Sequence, residues 1–278
     1  MATGEARDVT GTVEGVARAV RGASRTLTRS ATKGARRLWR LVDEGLLLRP
    51  RITLSTWWRT GRHHAAPIDP LRTIRVDPQT IDRFVDMESA AYRRERYRFG
   101  VRDGLWDRET VPLDEHFVYA SLEARFKHGA DWSDTRLYRV AIAGIEDGSG
   151  RYHGCRSLGD LERRLARLDD LYARIGSDGY RSQAEVRRAN GAVVGIRWPR
   201  PAVLEEVVIN VGREGQFILV DGVHRFSIAR LQGVASIPVI VLLRHAKWQA
   251  RRDDVARGRA DPDAADQHPD LVGLDRRR

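Results

Sequence analysis

The sequence contains one cysteine, three lysines and no long apolar run, and each scarcity excludes a class of protein. A single thiol, that of Cys155, can form neither an internal disulfide framework nor a cysteine-rich zinc site. No apolar run reaches the length of about 18 residues that a transmembrane helix needs. The N-terminal residues also lack the continuous apolar segment of a signal peptide. These observations predict a cytoplasmic protein without membrane-spanning segments.

Lysine is so rare that nearly all of the 49 basic residues are arginines, and the basic excess is unevenly distributed. The formal net charge of the 278 residues is +11. Residues 1–62 contain 13 basic and 5 acidic residues, whereas the rest of the chain is nearly balanced. Attraction for an anionic partner is therefore expected to come mainly from this N-terminal part.

Residues 13–42 have the periodicity of a basic amphipathic helix. When they are wound at about 100° per residue, small and apolar residues fall on one side and basic residues on the other. The basic side carries Arg18, Arg21, Arg25, Arg29, Lys33, Arg36 and Arg40. Such a helix is typical of segments that bind an anionic membrane surface or nucleic acid, and a helix that packs on its own chain is the alternative. We predict that residues 1–66 form a basic N-terminal arm, which would make the protein cytoplasmic or peripheral at the membrane.

Composition divides the rest of the chain into a domain and a tail. Pro67 and Pro70 predict a linker after the arm, and residues 67–249 are expected to form the domain. Residues 250–278 are rich in arginine, aspartate, alanine and proline without an apolar period, which predicts a disordered tail. Within the domain we expect a strand at 73–76, helices at 81–87, 114–128, 158–175 and 182–188, and a further helix that starts near 133.

Residues 205–245 carry the most informative pattern. Apolar runs and turn residues predict, in order, a strand at 207–211, a glycine turn, a strand at 217–220, a break at Asp221-Gly222, a helix at 224–232 and a strand at 237–243. The first two strands would form a β-hairpin. The order is therefore strand, glycine turn, short helix, strand.

The turn before the short helix predicts a phosphate-binding site. The backbone N–H groups of Gly222, Val223 and His224 would lie at a helix N-terminus, where they lack intrahelical partners and bear partial positive charge. Arg225 can add a bidentate charge-assisted pair, and the His224 ring can donate an N–H or transfer a proton near pH 7. A glycine here would also leave room for a phosphate. The alternative is structural: Asp221 caps the helix and Gly222 makes the turn.

The same turn resembles the signature of a known superfamily. The run Asp221-Gly222-Val223-His224-Arg225, followed by Ala229, Gly233 and Ile237-Pro238-Val239, resembles that of the ParB/sulfiredoxin superfamily. In that superfamily a turn of this kind holds nucleotide phosphates, and the Asp-Gly-x-His-Arg form is most similar to members that are free-serine kinases. The wider chain is similar to uncharacterised archaeal proteins that share His153-Gly154-Cys155, Tyr180-Arg181-Ser182-Gln183 and the 207–213 motif. The resemblance implies an α+β fold with a small mixed sheet, flanking helices and a helical insert, to which this chain adds its basic N-terminal helix.

Departures from the superfamily narrow the expected function. Sulfiredoxin has a reactive cysteine at the position of Val223, so sulfinic acid reduction is not expected. Chromosome-partitioning members have a second arginine where this chain has His224, and they carry a helix-turn-helix module after the signature. The residues after Leu243 show no such module, so a complete partitioning protein is not expected.

The resemblance implies binding of ATP, ADP or CTP with Mg²⁺, and a phosphotransferase or nucleotide hydrolase that acts on a small hydroxyl-bearing substrate. Phosphoryl transfer needs phosphate clamps, a divalent cation and a base. Asp221 is the expected Mg²⁺ ligand, and Glu206 the expected base, with Glu205 as the alternative because only one of the two can face the site. Surface charge is the alternative role for each carboxylate. Asn210 lies on the same strand face as Glu206, and Arg213 in the hairpin turn is expected either to contact phosphate or to be solvated. The rival hypothesis is a non-enzymatic adaptor associated with DNA or a membrane.

Overall fold

The computed structural model describes residues 48–86, 99–189, 202–259 and 268–274, which form seven α-helices and one open sheet of seven strands. The sheet contains parallel and antiparallel pairs, so the predicted α+β class with a mixed sheet is confirmed. The basic helix predicted over residues 13–42 lies outside the described residues. Across the described ranges, no helix is long and apolar enough to cross a membrane.

The sheet is built around its longest strand. The strands are β1 (Thr73–Val76), β2 (Arg83–Val85), β3 (Gly100–Arg102), β4 (Thr110–Pro112), β5 (Val207–Val211), β6 (Phe217–Asp221) and β7 (Ile237–His245). Their order across the sheet is β1-β7-β5-β6-β2-β4, and β3 also pairs with β7. All nine residues of β7 are buried, because it lies between β5 on one side and β1 and β3 on the other. A continuous apolar run is typical of a strand that is covered on both faces.

β5 and β6 form the predicted β-hairpin. The two strands pair antiparallel, with Val208 opposite Asp221 at the end that leads into the next helix. Gly215 in the hairpin turn has φ = 92°, and a Cβ there would lie 2.6 Å from the Trp248 ring. Both the backbone and the covering ring therefore require glycine at this turn.

Helices between residues 117 and 178, which we call the insert, lie against the short helix that follows the glycine turn. The helices are α1 (Leu48–Arg59), α2 (Phe117–His128), α3 (Arg136–Glu146), α4 (Leu158–Asp178), α5 (Gln183–Ala189), α6 (Val223–Leu231) and α7 (Ala246–Ala256). α4 begins where Ser157 Oγ accepts the Asp160 N–H, and Leu161, Leu165 and Leu168 form its buried stripe. This stripe packs in one apolar cluster with α2, α3 and α6. The insert and the signature therefore share a core.

Of the helices predicted within the described residues, one is wrong, and the others are present with ends that shift by a few residues. The helix expected at residues 81–87 is replaced by β2, which pairs with β4 and β6. Asp77 caps a single 3₁₀ turn at Pro78–Thr80 instead of an α-helix. The apolar spacing of so short a segment does not distinguish a helix from a strand, and pairing in the sheet decides.

The segment expected to be a linker is packed on the domain. Ala66 and Ile68, which flank Pro67, are buried. The Ala66 N–H donates to Oδ1 of Asp253 at 2.9 Å, and Nη2 of Arg252 donates to the Pro67 carbonyl at 3.1 Å. The folded domain therefore begins before the predicted boundary at residue 67.

The expected disordered tail is also corrected in part. Residues 250–256 complete α7, and residues 268–274 return to the sheet, where Asp270 is buried. Arg244 at the end of β7 donates to this carboxylate at 2.6 Å, and Arg252 Nε lies 3.2 Å from it. The buried side of α7 consists mainly of hydrogen-bonded polar residues, so it shows no apolar period that sequence analysis could detect.

Candidate anion-binding site

The turn that carries the signature leaves three backbone donors free. β6 ends at Asp221, Gly222 takes φ = 82° and α6 starts at Val223. Among the described residues, the N–H groups of Val223, His224 and Arg225 have no acceptor, and no side chain caps the helix. These donors at the positive end of the helix dipole can bind an anion.

Glycine is required at position 222 by the backbone conformation and by the contact with β5, not by the space that a phosphate needs. Its positive φ favours glycine, and a Cβ at this position would lie 3.1 Å from Cα and 3.2 Å from Cγ2 of Val207. The side-chain position therefore faces β5. The structure corrects the expectation that this glycine serves the approach of a ligand.

A cavity of about 400 Å³ opens in front of this turn, and we call it the arginine cavity. Its walls are residues 221–225, His153 and one face of α4 that carries Arg164, Arg167 and Arg174. These three arginines share a face because they are three and ten positions apart on a helix. None of them forms an ion pair with an acidic residue in the part of the chain that the structure describes.

The electrostatics of the arginine cavity favour an anion with several charges. Arg225 is the fourth arginine in its wall, and Asp221 is the single acidic residue there. The three guanidinium groups of α4 and a helix N-terminus outweigh one carboxylate. Guanidinium groups bind phosphate oxygens through charge-assisted hydrogen bonds, often in pairs.

His224 is neutral at pH 7. Burial lowers its pKa to about 3, and the charges of His153, Arg164 and His116 act in the same direction. The expectation that His224 transfers protons near pH 7 is therefore corrected.

The neutral His224 ring can still donate a hydrogen bond. Its Nε2 lies 2.9 Å from the hydroxyl oxygen of Tyr152. Burial raises the pKa of the Tyr152 hydroxyl to about 12, so the hydroxyl keeps its proton. A Tyr152 hydroxyl that donates to Nε2 leaves the ring proton of His224 on Nδ1.

Arg225 points its guanidinium group toward the protein. Nη2 donates to the carbonyl of Glu205, and Nη1 lies 3.7 Å from Oε2 of Glu206. The fork expected to hold a phosphate in a bidentate pair is thus already engaged. Arg225 contributes charge and shape to the cavity wall, and the free guanidinium groups belong to α4.

Glu206 lies behind the site instead of in it. Its side chain is buried, with the residue 4% exposed, and its Oε1 accepts the Gln183 N–H at 2.7 Å. Burial raises its pKa above the ordinary value. Glu206 does not line the arginine cavity, so its expected role as a base is corrected to that of an anchor for Arg225 and for the start of α5. The alternative base, Glu205, is paired with Arg187 at 2.7 Å.

Two further predicted site residues lie at the opposite end of the hairpin. Asn210 Oδ1 accepts the Leu243 N–H at 3.1 Å, where the register of β5 against β7 shifts. Arg213 forms a two-bond ion pair with buried Asp107, with distances of 2.6 and 2.8 Å. Both side chains hold the sheet and its loops together, and neither lines the arginine cavity.

The sequence patterns did not identify the arginines of α4 as site residues. Their spacing on one helix face beside the leucine stripe was the available signal, but arginine is so abundant in this chain that such a spacing has little weight. His153, part of a motif that the resemblance singled out, lies at the cavity, whereas its neighbour Cys155 is buried in the apolar cluster of the insert.

Comparison with known protein families, with curated proteins and with solved structures found no match to this chain. Within the described ranges, no group of three or more histidine, cysteine, aspartate or glutamate side chains could hold a metal ion. Asp221 is exposed at the cavity edge, and one carboxylate suffices for Mg²⁺ when phosphate oxygens and water complete its shell. The site therefore fits a metal that arrives with a phosphorylated ligand.

Proposed function

We propose that this protein binds a nucleotide, ATP, ADP or CTP, through its phosphate groups in the arginine cavity. The observation that carries the proposal is the convergence of Arg164, Arg167 and Arg174, without acidic partners, on the three free N–H groups of α6. Binding of phosphate oxygens would satisfy donors that the protein leaves unpaired.

A fold of the ParB/sulfiredoxin type is part of the same proposal. The described elements support it, because the residues that carry the resemblance lie at the glycine turn, on the short helix and its end, and on the buried strand. In this interpretation Asp221 holds Mg²⁺ against the bound phosphates. Phosphoryl transfer stays a prediction, and it would need a base other than Glu206, which lies behind Arg225.

Calorimetric titration of the full chain with ATP, ADP and CTP, with and without Mg²⁺, tests the proposal. Arg164→Ala should weaken binding about 10- to 150-fold, the range expected for loss of a hydrogen bond to a charged group. Arg163→Ala is the matched control, because Arg163 lies on the same helix, pairs with Asp160 and does not line the cavity. Absence of binding at millimolar nucleotide, or equal losses in the two variants, contradicts the proposal.

Attachment to an anionic membrane surface is a second candidate function, favoured by the exposed face of α1. Leu54, Trp57 and Trp58 are 63%, 52% and 63% exposed, and α1 contains arginine but no acidic residue. Arg62 lies over the Trp58 ring, 4.7 Å from its centroid. Exposed tryptophan beside arginine is typical of segments that enter an anionic lipid interface.

Vesicle co-sedimentation of the full chain tests this second candidate. Vesicles rich in phosphatidylserine should bind the protein, and replacement of both Trp57 and Trp58 by alanine should reduce the bound fraction. Leu158→Ala, which also removes an exposed apolar side chain, is the control and should have no effect. Equal binding to purely zwitterionic vesicles, or binding unchanged by the double substitution, contradicts the candidate.

A further inference from the structure

A second cavity, of about 350 Å³, adjoins the first at the C-terminal end of α4. We call it the Tyr180 cavity, since Tyr180 lines it between α4 and α5. Its volume lies in the range of about 300–1,000 Å³ that is common for small-molecule sites. Two motif residues that the phosphate site does not use, Tyr180 and Gln183, are thereby placed in one wall.

The two cavities share part of their walls. Leu171, Arg174 and Arg225 line both of them. The side chains of these three residues therefore form the boundary that a ligand would cross to occupy both cavities. The second cavity is a neighbouring compartment, not a separate site on another surface.

The walls of the two compartments differ in chemistry. The arginine cavity presents unpaired cations and helix N–H groups. The Tyr180 cavity presents Ile175, Val186 and the ring of Tyr180 beside the shared side chains, and its own charged residues, Arg181 and Asp178, pair with each other at 3.2 Å. Such walls favour an uncharged, partly apolar group, and a tyrosine ring favours a planar one. The difference predicts a ligand with one anionic end and one planar organic end.

A polar side chain of the Tyr180 cavity is available for recognition. It is not the Tyr180 hydroxyl, whose oxygen is buried beside the Arg225 guanidinium and keeps its proton, since burial raises its pKa to about 12. The Gln183 side-chain amide, by contrast, lines the cavity and has no hydrogen-bond partner in the described ranges, although its backbone N–H is held by Glu206. An amide offers both a donor and an acceptor, which matches the edge of a heteroaromatic ring.

We propose that the Tyr180 cavity binds the uncharged heteroaromatic base of the ligand whose phosphates occupy the arginine cavity. This inference rests on the proposed function and deepens it, because it divides recognition between two compartments. Phosphate binding depends on α4 and α6, and base binding on Tyr180 and α5. Arg174 and Arg225 lie at the boundary between them.

Calorimetry with inorganic tripolyphosphate, ATP and CTP on the full chain tests the division. At least one nucleotide should bind the unmodified protein about 10-fold or more tightly than tripolyphosphate, which corresponds to one good additional contact. Val186→Phe, which fills the Tyr180 cavity with an uncharged ring, should remove this preference and leave the affinity for tripolyphosphate within about twofold. Gln183→Ala should act in the same direction and provides the test if Val186→Phe does not fold.

The outcomes separate this inference from the proposed function. If the unmodified protein binds tripolyphosphate and both nucleotides with equal affinity, the base-binding role of the Tyr180 cavity is overturned and phosphate binding in the arginine cavity still stands. A nucleotide preference that survives both substitutions would also overturn it. Binding of none of the three ligands would overturn the proposed function and this inference together.

Discussion

The Tyr152 hydroxyl lies 2.9 Å from Nε2 of His224, so the histidine of the signature is joined to the helical insert. Tyr152 itself is buried in the apolar cluster of the insert, and Arg164 lies over its ring, 5.9 Å from the centroid. His224 therefore helps to hold the two parts of the arginine cavity together. Its lowered pKa makes this contact sensitive to acid.

Acidification should destabilise the protein through His224. The unfolded chain protonates this histidine near pH 6.5, whereas the folded state does so only near pH 3. The contribution to stability is therefore complete above pH 6.5 and is lost as the pH falls, with a slope of at most about 1.4 kcal/mol per pH unit. Thermal melts between pH 7 and pH 4 should show a smaller slope for His224→Gln. His128→Gln, at an exposed position, should leave the slope unchanged, and identical slopes for all three proteins would contradict the prediction.

Arg225→Ala should lower the free energy of unfolding even in the absence of ligand. It leaves the buried carboxylate of Glu206 without its nearby cation, which typically costs about 3 kcal/mol. Glu206→Gln combined with Arg225→Ala should recover a large part of this loss. Urea denaturation of the two single variants and the double variant measures the coupling energy.

An exposed ion pair provides the control for this cycle. Arg163 and Asp160 are both well exposed, so Arg163→Ala should change the free energy of unfolding by less than about 1 kcal/mol. Losses that simply add in the Arg225 and Glu206 double variant would show that the two side chains act independently.

Gly222→Ala should be more destabilising than Gly233→Ala. Both glycines have positive φ, so alanine strains the backbone at either position. Only Gly222 is close to another strand, with Val207 3.1 Å from the added methyl group, whereas nothing lies within 4 Å at Gly233. The difference in the free energy of unfolding, expected to be about 1 kcal/mol or more, isolates the contact with β5. Equal losses would mean that backbone conformation alone requires glycine at the turn.

Asp270→Asn should release the C-terminal segment. Burial alone would raise the pKa of this carboxyl, but Arg244 and Arg252 hold it well below the usual range. The substitution leaves two buried guanidinium groups with a neutral partner, and a loss of about 3 kcal/mol is expected. Limited proteolysis and thermal melts measure it. Asp134→Asn, at an exposed aspartate, should be neutral within about 0.5 kcal/mol, and unchanged proteolysis after Asp270→Asn would contradict the prediction.

Sequence patterns predicted the elements whose burial is apolar. The β-hairpin, β7 and α4 were all visible, because valine, isoleucine and leucine repeat with the period of the element that they bury. α7 was missed because Gln249, Arg252 and Asp253 are buried there through hydrogen bonds instead.

The candidate site was predicted only in its local part. The turn and the free N–H groups of Val223 and His224 follow from adjacent residues, so the sequence shows them directly. The predicted N–H of Gly222 instead donates to the Asp221 carboxylate at 2.6 Å. The arginines of α4 reach the turn only through tertiary packing, which a local pattern does not contain. Glu206 and Arg213 were predicted to act on the ligand because the sequence shows that they are charged. It does not show that they pair with Arg225 and Asp107, which only the folded chain reveals.

The division of the arginine cavity between α4 and α6 limits how this protein can be shortened or recombined. A fragment cut to residues 205–245 would keep the recognisable turn and lose every unpaired guanidinium group that faces it. Transplanting that turn into another scaffold would transfer a helix end without its cations. The cations of the arginine cavity thus travel with α4, and a fragment would need that helix as well as the turn to keep them.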